Sequence, residues 1–534
     1  LNRRTLLQTG TAVLTVPALG LARPHIARAA GTNVLKFIPQ ADLAVLDPVW
    51  TTAYVTRHHG LMIYDTLFGV DASFQPQPQM VAGVNTSADG KEWTLTLRDG
   101  LKFHDGAPVL GRDCVASIQR WGKRDAFGQA LMAATDDLSA PTDKTIVFKL
   151  KQPFPLLPAA LGKIGVNICP ILPERLAKTD PFTQVTDMTG SGPFRFKADE
   201  RVPGAKMVYE RNPDYVPRGD GKADWLAGPK IVHFDRVEWN VIPDAATAVA
   251  ALQQGEQDWW EQPSFDMLPL LKKKGADIIV SLLDPSGSPS MLRMNQLYPP
   301  FDNPAIRRAL LGAVDQSEFM TAIAGTDPSG WKDKVGFFPP GSPLASDVGM
   351  KVLEGPRDYD KVKKDLAAAG YKGEKIVVMV ATDLPVLNAM GLVGVDMLQK
   401  AGMNVDAQET DWGSVVQRRS SRKPPAEGGW NVFFTSFNGI DQFTPAGHLG
   451  LRGNGTSGWF GWPTEPKLEE LRAAWFAAPD AAAQKKIGEQ IQAEAFESVP
   501  YLPLGEYFQP TAYAKSLTGV LQGAPLFWNV KKDV

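Results

Sequence analysis

Apolar and polar residues alternate with period two in several parts of the chain. Trp93, Leu95 and Leu97 are interleaved with Thr94, Thr96 and Arg98, the pattern of a half-buried strand. Asp99-Gly100 supplies a positive-φ turn and residues 101–104 continue outward, which predicts a hairpin. Thr145–Leu150 alternates in the same way. Val34–Ile38, 206–210, 232–241 and 258–261 read as further strands, and "GSGPFRF" (190–196) breaks the chain before starting another.

Helical spacing appears elsewhere. Residues 52–67 place Tyr54, Leu61, Met62, Tyr64 and Leu67 near a 3.6-residue period, and 110–121 follows suit. Asp244 is the predicted cap of a helix over 245–254. Farther on, 376–381 is an apolar strand, 387–400 carries Leu392, Val395, Met397 and Leu398 in a helical stripe, and 403–408 alternates again after Gly402. Strand, helix and strand in about 35 residues predict a parallel βαβ unit. Residues 468–476 and 481–496 predict two more helices. "WNVFFTSFNGIDQF" (430–443) holds five aromatics and is apolar on both faces of its strand, as a buried strand is. No 20–50-residue period recurs, which excludes a solenoid.

The first thirty residues have another character. Arg3 and Arg4 precede an uncharged stretch from 9 to 21, and Ala27-Arg28-Ala29 places small residues where a signal peptidase reads. The segment 1–29 is predicted to be a signal peptide, twin-arginine-like in its Arg3-Arg4-Thr5-Leu6-Leu7. Thirteen helical residues rise only about 20 Å, too little to anchor in a bilayer core of about 30 Å. Removing 1–29 takes away four arginines and no acid, leaving 52 basic and 58 acidic side chains, a net charge of −6. That balance predicts no nucleic-acid partner. The expected product is soluble and periplasmic. Its length calls for two or three domains. Cys114 and Cys169 either pair in an oxidising compartment or stay buried thiols.

Enzyme motifs are missing. There is no G-x-S-x-G elbow, phosphate-binding loop or H-E-x-x-H. "RGNGTSGW" (452–459) reads as a surface loop and His58-His59 as a solvated helix face. No metal, cofactor or catalytic residue is expected.

Five motifs in order resemble the extracytoplasmic solute-binding proteins of family 5, the peptide, nickel and oligosaccharide binding components of ABC importers. They are the 85–121 stretch ending in "LRDGLKFHDG" and its helix, "GSGPFRF", "ERNPDY" (210–215), "YPPFDNPAIRRALLGAVDQSEF" (298–319) and "RDYDKVKKDLAAAGY" (357–371). The resemblance implies an α/β, two-lobed periplasmic binding protein of type II (cluster C), with an extra domain inserted in the first lobe. By that analogy the lobe I core takes 30–62, 190–284 and 498–534, the inserted domain 63–189, and lobe II 285–497. The chain would cross between lobes at 282–293 and 499–505, both rich in Pro, Gly or Ser. A monomer is implied, which captures a solute by hinge closure and hands it to ABC transporter permease subunits.

The analogy also points to cleft residues. Phe437, Asn438 and Asp441 follow the aromatic strand where relatives bind ligand. Of Trp259 and Trp260, which point oppositely, one is expected in the core and one against ligand. Glu261 either binds a cationic group or is solvated. Arg293 and Asn295 either meet a carboxylate or serve structure. Trp50, Tyr54 and Trp459 complete the set. Peptide-binding members commonly carry an aspartate after this strand, for the ligand's α-amino group. Here Asn438 stands nearest, so either Asp441 swings in or the ligand has no free α-amino group. A short peptide is the expected ligand, with a non-peptide solute on the same scaffold, or an exported hydrolase, as the rivals.

Overall fold

Strand Val34–Ile38 lies at the centre of the largest sheet, paired in parallel with Arg236–Asn240 on one side and Trp259–Trp260 on the other. The computed structural model describes residues 33–273 and 277–532; the predicted signal segment 1–29 lies outside them. The sheet runs in the order Ile278–Leu282, Pro510–Ala514, Trp259–Trp260, Val34–Ile38, Arg236–Asn240, Lys206–Arg211, Phe194–Phe196. Its core is aromatic: Phe37 packs edge-on against Trp259 (centroids 5.4 Å apart) and Phe527 (5.0 Å).

A second sheet of six strands takes Trp331–Lys332, Tyr501–Tyr507, Ser288–Met294, Val432–Ser436, Lys375–Ala381 and Asn404–Thr410 in that order. The predicted βαβ unit is present: Lys375–Ala381 and Asn404–Thr410 pair in parallel over their full length, joined by helix Pro385–Lys400. A third sheet, all antiparallel, is built from Val81–Thr86, Glu92–Leu97, Thr145–Leu150 and Thr135–Thr142.

Five local expectations change. The turn at Asp99-Gly100 exists, with Gly100 at φ +77°, but the predicted hairpin does not. Both edges of Glu92–Leu97 are already taken by Val81–Thr86 and Thr145–Leu150. Residues 101–109 instead close a small loop, Val109 N–H donating to the Leu101 carbonyl at 3.0 Å. In helix Pro385–Lys400, Leu392 is exposed, and the face against the sheet is carried by Leu387, Met390, Gly391, Gly394, Met397 and Leu398. Glycine has no hydrophobic signature, so the stripe was misplaced by part of a turn.

The second crossing also moves. Residues 499–505 enter the six-stranded sheet as part of strand Tyr501–Tyr507, and the chain passes to the seven-stranded sheet at Phe508 and Gln509. Pro503 and Gly505 read as linker residues, yet they mark a register shift against Pro289 and Met291 inside a buried strand. The first passage, between Ile278–Leu282 and Ser288–Met294, falls within the expected segment.

His58 and His59 are buried rather than solvated, because helix Tyr54–Ile63 is enclosed on nearly every side. His58 Nδ1 lies 3.3 Å from Glu261 Oε1, and His59 Nδ1 lies 2.9 Å from the Tyr209 hydroxyl. Within 452–459 only Thr456 and Ser457 are exposed; Arg452 is tied to Glu469 at 2.9 Å, and Trp459 is buried. Cys114 and Cys169 are both buried free thiols.

Candidate functional site

Two cavities meet at Thr52, the inner one between the two large sheets and the outer one between residues 420–462 and the segments around Trp50, Arg124 and Phe182. The inner one, about 70 Å³, is walled by Thr52 and Tyr54, by Gln262 and Gln509 from the seven-stranded side, and by Trp412, Arg419, Phe437 and Tyr507 from the six-stranded side. The outer one, about 490 Å³, shares Thr52 with it and adds Trp50, Lys123, Arg124, Phe182, Arg422 and Trp459.

The sheet topology explains the placement. Thr52 and Tyr54 stand at the start of the helix that follows the central strand Val34–Ile38. Phe437 lies just past strand Val432–Ser436, in the middle of the six-stranded sheet. Strand ends deliver side chains to one edge, and the loops after them reach across.

Direct bonds join the two sides. The Tyr54 hydroxyl donates to Asp441 Oδ2 at 2.8 Å and accepts from the Asn438 backbone N–H. Asp441 Oδ1 accepts from Val166 N–H at 3.0 Å, so both carboxylate oxygens are engaged. Burial raises the Asp441 carboxyl above its ordinary value. The Asn438 amide donates to Asp284, in the first passage between sheets. Trp459 Nε1 donates to Thr52 Oγ1 at 3.3 Å, and its ring packs against Phe437 at 5.2 Å. Trp50 Nε1 donates to the Phe182 carbonyl at 3.0 Å on the wall of the outer cavity.

Thus Trp50, Tyr54, Phe437, Asn438, Asp441 and Trp459 gather at this boundary. The other candidates do not. Trp259 is fully buried beside Phe37 and donates to Thr511 Oγ1 at 2.8 Å; Trp260 packs with Ile38, Ala248 and Leu252. Both indoles are core, since both faces of a central strand are covered. Glu261 is buried rather than solvated, accepts from Gln40 N–H at 2.8 Å, and is pushed up to about 8 by burial. Arg293 is fully buried, donates to the carbonyls of Phe460, Gly450 and Pro500, and is lowered to about 9 by burial. Asn295 donates to the Trp430 carbonyl at 2.9 Å. These last two side chains tie together the backbone around the six-stranded sheet.

Sequence reasoning missed Arg419. It lies just past helix Trp412–Arg418, is 1 % exposed and lines the inner cavity. Its guanidinium sits 5.2 Å from the Trp412 ring centroid and 5.0 Å from that of Phe460. One nitrogen donates to Thr52 Oγ1 at 3.1 Å; Nε has no partner. Burial alone lowers it to about 9. The signal available in the sequence was the run "RRSSRK" (418–423), four cations without an acid. Among the described residues no group of acidic, histidine and cysteine side chains could hold a metal, and no helix is long and apolar enough to cross a membrane.

The chain resembles known proteins in sequence and fold. A probable peptide ABC transporter periplasmic-binding protein of Sinorhizobium fredii is 39% identical over 538 residues, covering 100% of this chain and 99% of the relative. The PBP AgaA from A. tumefaciens R10, solved in complex with agropinic acid, superimposes with TM-score 0.76 at 23% identity, over 94% of this chain and 99% of that one. The dipeptide binding protein from Pseudoalteromonas sp. SM9913, in complex with Met-Leu, gives 0.73 at 19%, over 93% and 100%. These two likenesses establish the type II periplasmic binding protein fold. Residues 75–456 match the profile of the bacterial extracellular solute-binding proteins, family 5 (Middle). The chain therefore belongs to the bacterial extracellular solute-binding proteins of family 5.

Proposed function

We propose that this protein captures a small solute, a short peptide or a molecule of similar size, between its two large sheets by hinge closure, and delivers it to the permease of an ABC importer. The observation that carries this reading is the set of hydrogen bonds joining the two sides around cavities walled from both, Tyr54 to Asp441 foremost. The S. fredii relative is named for peptide transport, and the solved counterparts hold Met-Leu in one case and agropinic acid in the other. Peptide and non-peptide cargo are both compatible with the scaffold.

In this reading the lobe I core comprises 30–62, 190–284 and the chain after the second passage at 508. Residues 63–189 form the inserted domain and the remainder lobe II. The two passages, at 283–287 and 508–509, act as the hinge. Residues 1–29 direct export to the periplasm by a twin-arginine route, and the protein works there as a monomer, without chemistry on its cargo. Ligand binds one lobe and is covered by the other; the shift from open to closed requires differential affinity of several kcal/mol, about 5.5 for a change from 1:99 to 99:1.

The test is native mass spectrometry of protein purified without denaturation, followed by incubation with the released compound. A binder returns that compound intact, with a raised melting temperature and a smaller scattering radius. Consumption of the compound would instead identify a hydrolase.

A further inference from the structure

The walls of the two cavities are unbalanced in charge. Arg419 lines the inner one, and Lys123, Arg124 and Arg422 line the outer one. Among the described residues of either wall there is no aspartate or glutamate. Asp441 lies in neither wall and has both oxygens engaged by Tyr54 and Val166; Glu261 and Asp383, next in the chain to wall residues, accept from the backbone N–H groups of Gln40 and Trp412.

Arg419 is the telling residue. It is 1 % exposed, no carboxylate pairs with it, and its Nε is without a partner. A guanidinium buried without a counter-charge is costly, and the deficit is relieved when an anion arrives. Its planar fork matches a carboxylate, two N–H groups to two oxygens. Arg124 and Arg422 lean on rings, 4.7 Å from Phe182 and 5.6 Å from Trp462, and each donates to a carbonyl at 2.6 Å, Trp50 and Thr456 respectively, while no acid lines the same wall.

We propose that the captured solute is a small polycarboxylate, one carboxylate pairing with Arg419 in the inner cavity and a second facing Arg124 and Arg422 in the outer one. The inference rests on the solute-capture reading above and narrows it. Such a solute needs no free ammonium, since neither wall offers an acid to neutralise one. An acidic peptide and a non-peptide acid share this chemistry.

Calorimetric titration of the full protein tests it with four probes: N-acetyl-Glu-Glu, tricarballylate, N-acetyl-Ala-Ala amide and Lys-Lys amide. One or both of the first two bind, more weakly as salt rises; the peptide and non-peptide arms identify the source. Arg419→Gln weakens that binding at least about thirtyfold, as loss of one partner of a buried charge pair does. Arg422→Gln, on an exposed side chain, weakens it about fivefold and serves if the Arg419 variant does not fold. Binding of the neutral or basic amide as tightly as the acids, or acid binding unchanged in both variants, overturns the charge assignment while leaving solute capture standing. Absence of heat and of any melting-temperature rise with all four also overturns the charge assignment, and the compound released in native mass spectrometry then decides solute capture.

Discussion

The Tyr54 hydroxyl donates to Asp441 at 2.8 Å, joining two residues 387 positions apart, one beside the seven-stranded sheet and the other beside the six-stranded one. The same oxygen accepts from Asn438 N–H, so a single phenol links the two sides twice. Burial first, and Asp441 second, hold its pKa well above the ordinary value, so it stays a donor across any practical pH.

Tyr54→Phe removes both links and leaves the buried Asp441 oxygen unsatisfied. The contact between the two sides is expected to lose about 1–3 kcal/mol. Small-angle scattering of the ligand-free protein should show a larger radius than wild type, and affinity for a bound solute should fall about tenfold or more.

Glu261 predicts a pH effect. Its carboxyl is raised from 4.5 to about 8 by burial, so the native state retains a proton that the unfolded state has lost. Stability therefore falls as pH rises from 4.5 to about 8, and the loss is complete above that. His58 and His59, lowered by burial from 6.5, act in the opposite sense but only below 6.5. Between pH 6.5 and 8 the wild-type melting temperature should decline, and Glu261→Gln should flatten that decline.

Asp47 and Arg120 form a buried pair, with Arg120 Nη2 2.6 Å from Asp47 Oδ2. Asp47 also accepts from Val49 and Val185 N–H at 2.9 Å each, tying the segment after the first strand to helix Gly111–Trp121. Arg120→Met leaves this carboxylate buried without its cation. A loss of about 3–5 kcal/mol is expected from urea denaturation.

Gly394 lets helix Pro385–Lys400 approach the six-stranded sheet. A Cβ there would stand 2.3 Å from two ring carbons of Phe434. Gly394→Ala should destabilise by about 1–3 kcal/mol through overpacking, despite alanine's better helix propensity. A lowered urea midpoint with unchanged slope would show it; an unchanged or raised midpoint would contradict the close approach.

Elements whose signal is local were legible along the chain. A short apolar run placed Val34–Ile38, alternation placed Thr145–Leu150, Asp244 capped its helix, and the βαβ rhythm fixed a parallel pair. Ordered motifs pointed to the family. What period and composition do not encode is which neighbour covers a residue. Of Trp259 and Trp260 one was expected against ligand until both strand faces proved covered, and His58 looked solvated until Glu261 stood beside it. Arg419 was one of several arginines in a basic run until its helix end met Thr52 across the boundary. Burial and pairing come from contacts hundreds of positions apart. Which charges lack a carboxylate partner is therefore set by the folded contacts and not by local pattern.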